Sequence, residues 1–387
     1  MNSIPIPKLG STGRVCRNCI MDESDPTISF DDTGLCVYCQ HTLPVINTSR
    51  GEWPGKLLQL DEMKKEIISR SNNSDFDCVI GLSGGLDSSF LVHLAVVEMG
   101  LKPLLVHVDA GWNNSIAVSN IAKISKAFNL DLHTIIFPWR KMRKLQLSFF
   151  KSGLPYLDVP QDAVFFSSLY QYAVKFKIKS VLTGANLMTE SVREPSAWGA
   201  YPGNDPSFIN SVYRDTFNEN LSGFNVISSL KFRIVYRYLF GMKVFKPLND
   251  LNYSKYEAEK MLQDKYSWKP LIHKHHESRL TKFIEAYWLP KVFGVDRRKA
   301  HLSSLIISGN IDRDSALNQI LSPGYSWIDI EYDFHFIADK LEISSKEFME
   351  ILNSPARPIK DFKSNERLYM ILARFQNFFS NEKRLYK

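Results

Sequence analysis

Ser83-Gly84-Gly85-Leu86-Asp87-Ser88-Ser89 stands between two apolar runs of different character. Before it, Cys78-Val79-Ile80-Gly81-Leu82 is short and rich in β-branched residues, as a buried strand is. After it, Phe90-Leu91-Val92-His93-Leu94-Ala95-Val96-Val97 has the length and composition of a helix packed on a sheet. The stretch between them is therefore a strand-to-helix turn. Gly84 and Gly85 let the backbone fold tightly, so that successive N–H groups point at one anion. Asp87, Ser88 and Ser89 fall where a helix begins, and the serine hydroxyls add donors to its positive N-terminal end. Such a turn binds phosphate; the alternative is a serine-rich turn without a ligand.

No Gly-Lys-Ser/Thr follows, so this is not a Walker loop with a lysine reaching a γ-phosphate. The form Ser-Gly-Gly-x-Asp-Ser instead resembles the pyrophosphate loop (PP-loop) of the ATP pyrophosphatases. That superfamily includes GMP, asparagine and argininosuccinate synthetases and the tRNA-thiolating and lysidine-forming enzymes. The resemblance implies an adenine nucleotide alpha hydrolase-like α/β fold and cleavage of ATP between its α and β phosphates. It also implies that AMP passes transiently to an acceptor oxygen.

A chain of 387 residues, 44% hydrophobic, has room for two or three domains with real cores. A net charge of +7 suits anionic substrates such as nucleotides, but it is too diffuse to argue for nucleic acid. No apolar run approaches the roughly 18 residues of a membrane span. Met1-Asn2-Ser3-Ile4-Pro5 lacks the basic and apolar regions of a signal peptide, so a cytoplasmic protein is expected. There is no internal repeat and no low-complexity tract. Four of the five cysteines are paired in spacing, Cys16-x-x-Cys19 and Cys36-x-x-Cys39. In a reducing compartment two such knuckles hold a tetrahedral Zn²⁺ rather than disulfides, and four thiolates leave no open position, so the zinc is structural. Cys78 falls in the first core strand and is expected to pack as a small apolar side chain.

Residues 1–50 read as a ribbon-like zinc module, 51–75 as a linker with a helix from Leu57 to about Ser69, 76–250 as the nucleotide domain and 251–387 as a helical domain. The linker-like stretch runs from Thr48 through Gly55. Strands are expected at 77–82, 103–109, 131–137 and 180–184, with helices at 88–99, 115–128 and 162–177. That alternation argues for a parallel sheet covered on both faces. Val244-Phe245-Lys246-Pro247-Leu248 reads as a fifth strand, before a helix over Ser254–Asp264. Residues 185–245 look long and irregular, as a substrate-binding insertion would. Within it, Trp198 and Tyr201 suit stacking on a sugar or base, or capping a core.

The PP-loop resemblance implies strand order 3-2-1-4-5, which places the topological switch between the first and fourth strands. Ser83–Ser89 and Thr183-Gly184-Ala185-Asn186 then face each other, with Gly184 allowing close approach to ribose or phosphate. The second strand ends near Asp109, where the superfamily holds adenine; Asp109 is either part of that site or an ordinary loop carboxylate. Lys246, before Pro247-Leu248, resembles a basic position of the tRNA-modifying members, and either touches phosphate or is a solvated lysine. His275, His276 and Glu277 lack a His-Glu-x-x-His spacing, so a polar cluster reaching the active site is expected there rather than a second metal.

Lys274-His275-His276-Glu277-Ser278 and Asp296-Arg297-Arg298-x-x-His301-x-Ser303, with the four-cysteine module and the loop, are similar to the N-acetyl sugar amidotransferases of the WbpG/PseA type. These enzymes act in surface-polysaccharide (lipopolysaccharide O-antigen) and flagellar-glycan biosynthesis. The resemblance implies ATP-dependent conversion of an acetamido group of a nucleotide-linked N-acetyl sugar to acetamidino, through an O-adenylyl imidate and ammonia. Gly84 and Gly85 would stabilise the departing pyrophosphate together with Mg²⁺, and Asp87 is the candidate for the metal side. His276, Glu277, Arg297 and His301 are candidates for binding the sugar or handling ammonium's protons. No cysteine stands at position 2, so the resemblance implies a separate HisH-like glutaminase and a HisF-like channel subunit, as in imidazole glycerol phosphate synthase. Two rivals differ in chemistry. tRNA thiolation uses cysteines near the nucleotide, and none follows Cys78, while lysidine formation does not fit the zinc module. A zinc-ribbon nucleotide sensor would bind ATP without turnover.

Overall fold

The computed structural model describes residues 13–371, apart from Glu52, Asn72, Asn73, Pro202, Asn252, 272–275, Gly324 and Met370. Five strands form one parallel sheet in the order β3-β2-β1-β4-β5. They are β1 (Cys78–Gly81), β2 (Pro103–Asp109), β3 (Leu132–Ile136), β4 (Ser180–Leu182) and β5 (Lys243–Phe245). Ile80 in the centre registers with Leu105 on one side and Leu182 on the other. The inner strands are buried on both faces, which is why they read as unbroken apolar runs, whereas β3 and β5 at the edges are partly exposed.

The helices obey the same logic. Ser115–Phe128 starts at Asn114, whose side chain accepts from the Ile116 N–H, and ends at Asn129 in the left-handed region. Its buried Ala117, Ile121 and Ile124 recur at helical spacing, and Ile121 and Ile124 share a hydrophobic core with Ile80 and Leu105 of the sheet. Val159–Lys175 and Lys255–Tyr266 lie within a few residues of the expected positions. The fifth strand stops before Lys246, because Pro247 cannot donate to a ladder and opens the short 3₁₀ turn Pro247–Asp250.

Three stretches differ from expectation. Thr48–Gly55, read as a linker, is occupied by the end of helix Val37–Gly51 and the start of helix Trp53–Arg70. The helix Trp139–Lys151, rich in Arg and Lys on one side, buries Met142, Leu145 and Phe149 on the other. The stretch 185–245 is not irregular. It carries the helix Pro206–Phe217, capped by Asp205 with proline at its first position, and a helical segment over Ser229–Leu239. Trp198 is fully buried and donates from Nε1 to the Ser24 carbonyl, so it belongs to the core. Tyr201 stacks on Phe208 and donates to Asp205.

From Arg279 the chain is helical, as expected. Arg279–Phe283 runs into a π-helical segment to Phe293, followed by Arg298–Ile307, Arg313–Leu321, Trp327–Leu341 and Ser345–Leu352. The N-terminal module is pinned to this part. Lys299 pairs with Asp22 in full burial at 2.7 Å, Ile20 N–H donates to Ser303, and Arg313 donates to the Cys16 and Cys19 carbonyls. Among the described residues no helix is long and apolar enough to cross a membrane.

Candidate nucleotide site and four-cysteine centre

At the carboxyl end of β1 the chain turns through Ser83–Gly85 into the helix Leu86–His93. Gly84 has φ of +83°, and a β-carbon there would lie 2.3 Å from the Ala117 carbonyl oxygen, so both conformation and space demand glycine. The Gly84 carbonyl is held by Asn120 Nδ2 at 3.0 Å and Trp268 Nε1 at 3.2 Å. Inside the turn, Ser83 and Ser88 hydroxyls meet at 3.0 Å and the Gly85 N–H donates to Ser83 Oγ. Opposite stands Gly184, where a β-carbon would lie 3.0–3.1 Å from Asp87, so the two segments do face each other across the β1–β4 switch. Asp87 accepts from the buried Tyr253 hydroxyl at 2.6 Å. Ser89 is buried, and its hydroxyl has no hydrogen-bond partner among the described residues.

A chamber of about 830 Å³ opens over the carboxyl ends of β1, β2 and β4, a size that suits a nucleotide. Ser83, His107, Gly184, Asp162 and Glu277 line it. His107 was not singled out by sequence. Its Nδ1 faces the Leu82 carbonyl at 3.0 Å and so carries the proton, leaving Nε2 to accept from Asn113. Burial holds its imidazole below the usual histidine range, so it is neutral. Ser278 and Thr281 continue the wall by bonding Gln161 and Asp158. The glycines at 84, 85 and 184 and the chamber volume fit a polyphosphate with its metal; Asp87 and Glu277 are the carboxylates beside the turn that would hold Mg²⁺.

A second chamber of about 1760 Å³ adjoins the first and is lined by Asn186, Arg193, Lys246, His276 and His301 among others. Adjacent His276 and Glu277 are thus divided between two chambers. His301 Nδ1 lies 3.3 Å from the Thr189 carbonyl. Arg297 lines both chambers, buried among Asp158 at 2.9 Å, Glu194 at 3.0 Å and Glu285 at 3.3 Å. This makes it a partition between the chambers. Sequence reasoning missed the three acids, which carry no local motif. Asp109 lines neither chamber; its carboxylate accepts from the Gly111 N–H, as an ordinary loop residue does. Lys274 and His275, part of the signature that singled out this region, lie outside the described residues.

The ligand atoms of Cys16, Cys19, Cys36 and Cys39 all lie within 4.8 Å of one another, and all four residues are buried. The Sγ pairs Cys16–Cys39 and Cys19–Cys36 stand at 3.7 and 3.6 Å. A tetrahedron with Zn–S of about 2.3 Å has edges of about 3.8 Å, so the donor set fits zinc. Asn18 Nδ2 and the Cys36 N–H donate to Cys39 and Cys16 sulfurs and orient them. Metal analysis of protein purified without chelator is expected to find one zinc per chain, lost in Cys36→Ser; zinc retained by that variant would refute the assignment. Cys78 is fully buried in β1, and burial pushes its thiol well above the usual range.

A curated relative, an uncharacterized protein of Methanocaldococcus jannaschii, is 23% identical over 120 residues, covering 30% of this chain and 40% of that protein. Among solved structures, the NMN synthetase of Francisella tularensis aligns with TM-score 0.32 and 15% identity over 78% of this chain and 98% of that one. The NH3-dependent NAD synthetase of Campylobacter jejuni aligns with TM-score 0.31 and 15% identity over 67% and 97%. Residues 277–376 match the family described as LPS biosynthesis protein WbpG-like, C-terminal domain. Behind a parallel sheet of order 3-2-1-4-5, then, stands a segment, residues 277–376, that matches the C-terminal domain of WbpG-like LPS biosynthesis proteins.

Proposed function

We propose that the protein is an ATP-dependent amidotransferase that converts the acetamido group of a nucleotide-linked N-acetyl sugar to acetamidino. One observation carries this reading. The start of the WbpG-like domain (Glu277, Ser278, Thr281, Glu285 and Arg297) walls the same chamber as the PP-loop residue Ser83. An ATP-activating turn and the part of the chain that distinguishes the family therefore share one space.

The chemistry follows from the weakness of an amide as an electrophile. Its carbonyl oxygen attacks the α-phosphorus, the bond to the pyrophosphate breaks, and an O-adenylyl imidate forms. Ammonia then adds to the imidate carbon, and AMP leaves with the original oxygen. When bound, Mg²⁺ neutralises charge on the pyrophosphate. The chain's own part is to hold the pyrophosphate on the N–H groups of the turn and the helix start behind it. The larger chamber, with Arg193, Lys246, His276 and His301 on its wall, is assigned to the anionic sugar nucleotide.

Four cysteines are grouped for metal and Cys78 is sealed in a strand, which leaves no thiol for glutamine hydrolysis. The nitrogen source is assigned to a separate glutaminase and channel subunit. Incubation with UDP- or CMP-linked N-acetyl sugars, ATP and ammonium is expected to replace O by NH in the sugar, read by mass spectrometry. Glutamine alone should not support the reaction. Turnover with glutamine that is lost in Cys78→Ser would overturn the nitrogen assignment, and pyrophosphate release independent of any acetamido sugar would overturn the function.

A further inference from the structure

Along the segment Ser229–Leu239 the inner and the outer side are both apolar. Phe232 and Tyr236 pack inward, with the Phe232 ring 4.5 Å from that of Tyr170 on the helix Val159–Lys175. Leu230, Ile234 and Tyr238, four residues apart, make a row on the solvent side, with Val235 and Leu239 in the row beside it. Tyr238 is 82% exposed and Leu239 71%. Single exposed apolar residues are ordinary, but a run of them on successive turns of one segment marks an interaction face.

The charge around this face has one sign. Residues 220–249, which contain it, hold no aspartate or glutamate, and neither do residues 163–189. The two stretches meet in space. The Lys243 N–H donates to the Lys179 carbonyl, β4 and β5 pair in parallel, and Ile178 shares a core cluster with Tyr236 and Met242. Lys177, Lys179, Lys231 and Arg237 are exposed there. Lys243 differs, because it pairs with Glu66 at 2.7 Å.

An anionic lipid surface matches both features. A helix lying in a bilayer interface sets its aliphatic and aromatic side chains among the upper acyl chains and its Lys and Arg on the phosphates. A second copy of the chain would bring the same cations against these. Interfaces between proteins are also depleted in lysine, which supplies three of the four exposed cations here. We propose that the outer side of Ser229–Leu239, with the turn before β4, docks the protein on an anionic phospholipid surface. The contact is peripheral and needs no membrane span. Phe232 and Arg237 of the same segment border the larger chamber, so docking sets the rim of that chamber beside the lipid.

The test is co-sedimentation of the full chain with vesicles of phosphatidylcholine alone and of phosphatidylcholine mixed with phosphatidylglycerol. Wild type should pellet with the mixed vesicles and stay in solution with the neutral ones. Raising salt from about 0.1 M to about 0.5 M should release it, because the screening length shortens. Tyr238→Ser combined with Leu239→Ser should weaken binding about tenfold or more, by removing the most exposed apolar side chains. Lys177→Gln combined with Lys179→Gln should weaken it about fivefold per charge, and arginine at both positions should retain it. Thermal unfolding checks that the variants are folded. Equal binding to both vesicle types overturns the proposal, as does binding that both double variants leave intact. Wild type that pellets with neither vesicle also overturns it, leaving the face to a protein partner. A dimer in sedimentation equilibrium that Tyr238→Ser with Leu239→Ser dissociates would overturn it in favour of a second copy.

Discussion

Asp87→Asn is expected to lower acetamido-sugar-dependent pyrophosphate release by about 10²- to 10³-fold, the effect of removing a few kcal/mol of transition-state stabilisation. Asp87 stands two residues past the glycines, in the first turn of the helix Leu86–His93 and facing Gly184, where it would hold the metal side of the departing pyrophosphate. The choice of asparagine matters. Asp87 accepts from the Tyr253 hydroxyl, and Tyr253 is only 4% exposed. Alanine would leave that hydroxyl without its acceptor, at about 1–3 kcal/mol of stability, and would blur loss of charge with loss of structure. Asparagine keeps an acceptor and removes the charge. Ser83→Ala should slow the reaction too, since Ser83 lines the chamber and its hydroxyl organises the turn. Pyrophosphate assays beside urea unfolding separate the two effects, and near-normal turnover in both variants would remove the turn from the mechanism.

Arg297→Met is expected to lose about 3–5 kcal/mol of stability, because it strips the shared counter-charge from Asp158, Glu194 and Glu285. Arg297→Lys keeps a charge but not the fork that reaches several acids at once, and should lie between methionine and wild type. Urea unfolding reads both; a methionine variant as stable as wild type would show that the partition carries no load. The same cluster sets a pH dependence. Asp162 is solvent-exposed on the border of the loop chamber, and the crowding of protein around it together with the Asp158 carboxylate raises it above the usual carboxylate range, to about 7. An acid with a raised folded-state pKa keeps its proton where the unfolded chain has released it. Its contribution to stability is therefore full at low pH, falls between about 4 and about 7, and is gone above that. Asp162→Asn should flatten that part of the stability profile.

The sheet and the turn were legible because their signals are local. A short β-branched run, two glycines and a helix start sit within twenty residues of one another, and the paired cysteines announce themselves by spacing. The partition was not. Arg297 stood out as one position of a family pattern, but its partner Asp158 lies 139 residues away and carries no mark in sequence. Glu277 was visible as a polar residue near the site, while its position over Gly85 depends on the bridge between Asn113 and Ser278. The helix Pro206–Phe217 was missed although Asp205-Pro206 is a good start signal, because the surrounding Gly, Pro and aromatic residues outweighed it. Trp198 illustrates a different limit: composition allowed stacking or core, and only its burial against the Ser24 carbonyl decides.

The attachment of the cysteine module bears on how the chain is made. Its anchors lie far along the sequence: Asp22 waits for Lys299, 277 residues later, and Ile20 for Ser303, 283 residues later. During synthesis at roughly 5–20 residues per second, the knuckles emerge well before these anchors and spend many seconds without the surface they will cover. A metal-closed loop can hold its own shape through that interval, since ligand binding supplies folding free energy to small modules. The nucleotide sheet, with β1, β2 and β4 pairing in between, can assemble meanwhile. Docking of the module then waits until the helix Arg298–Ile307 has left the ribosome, and joins two parts of the chain made far apart in time.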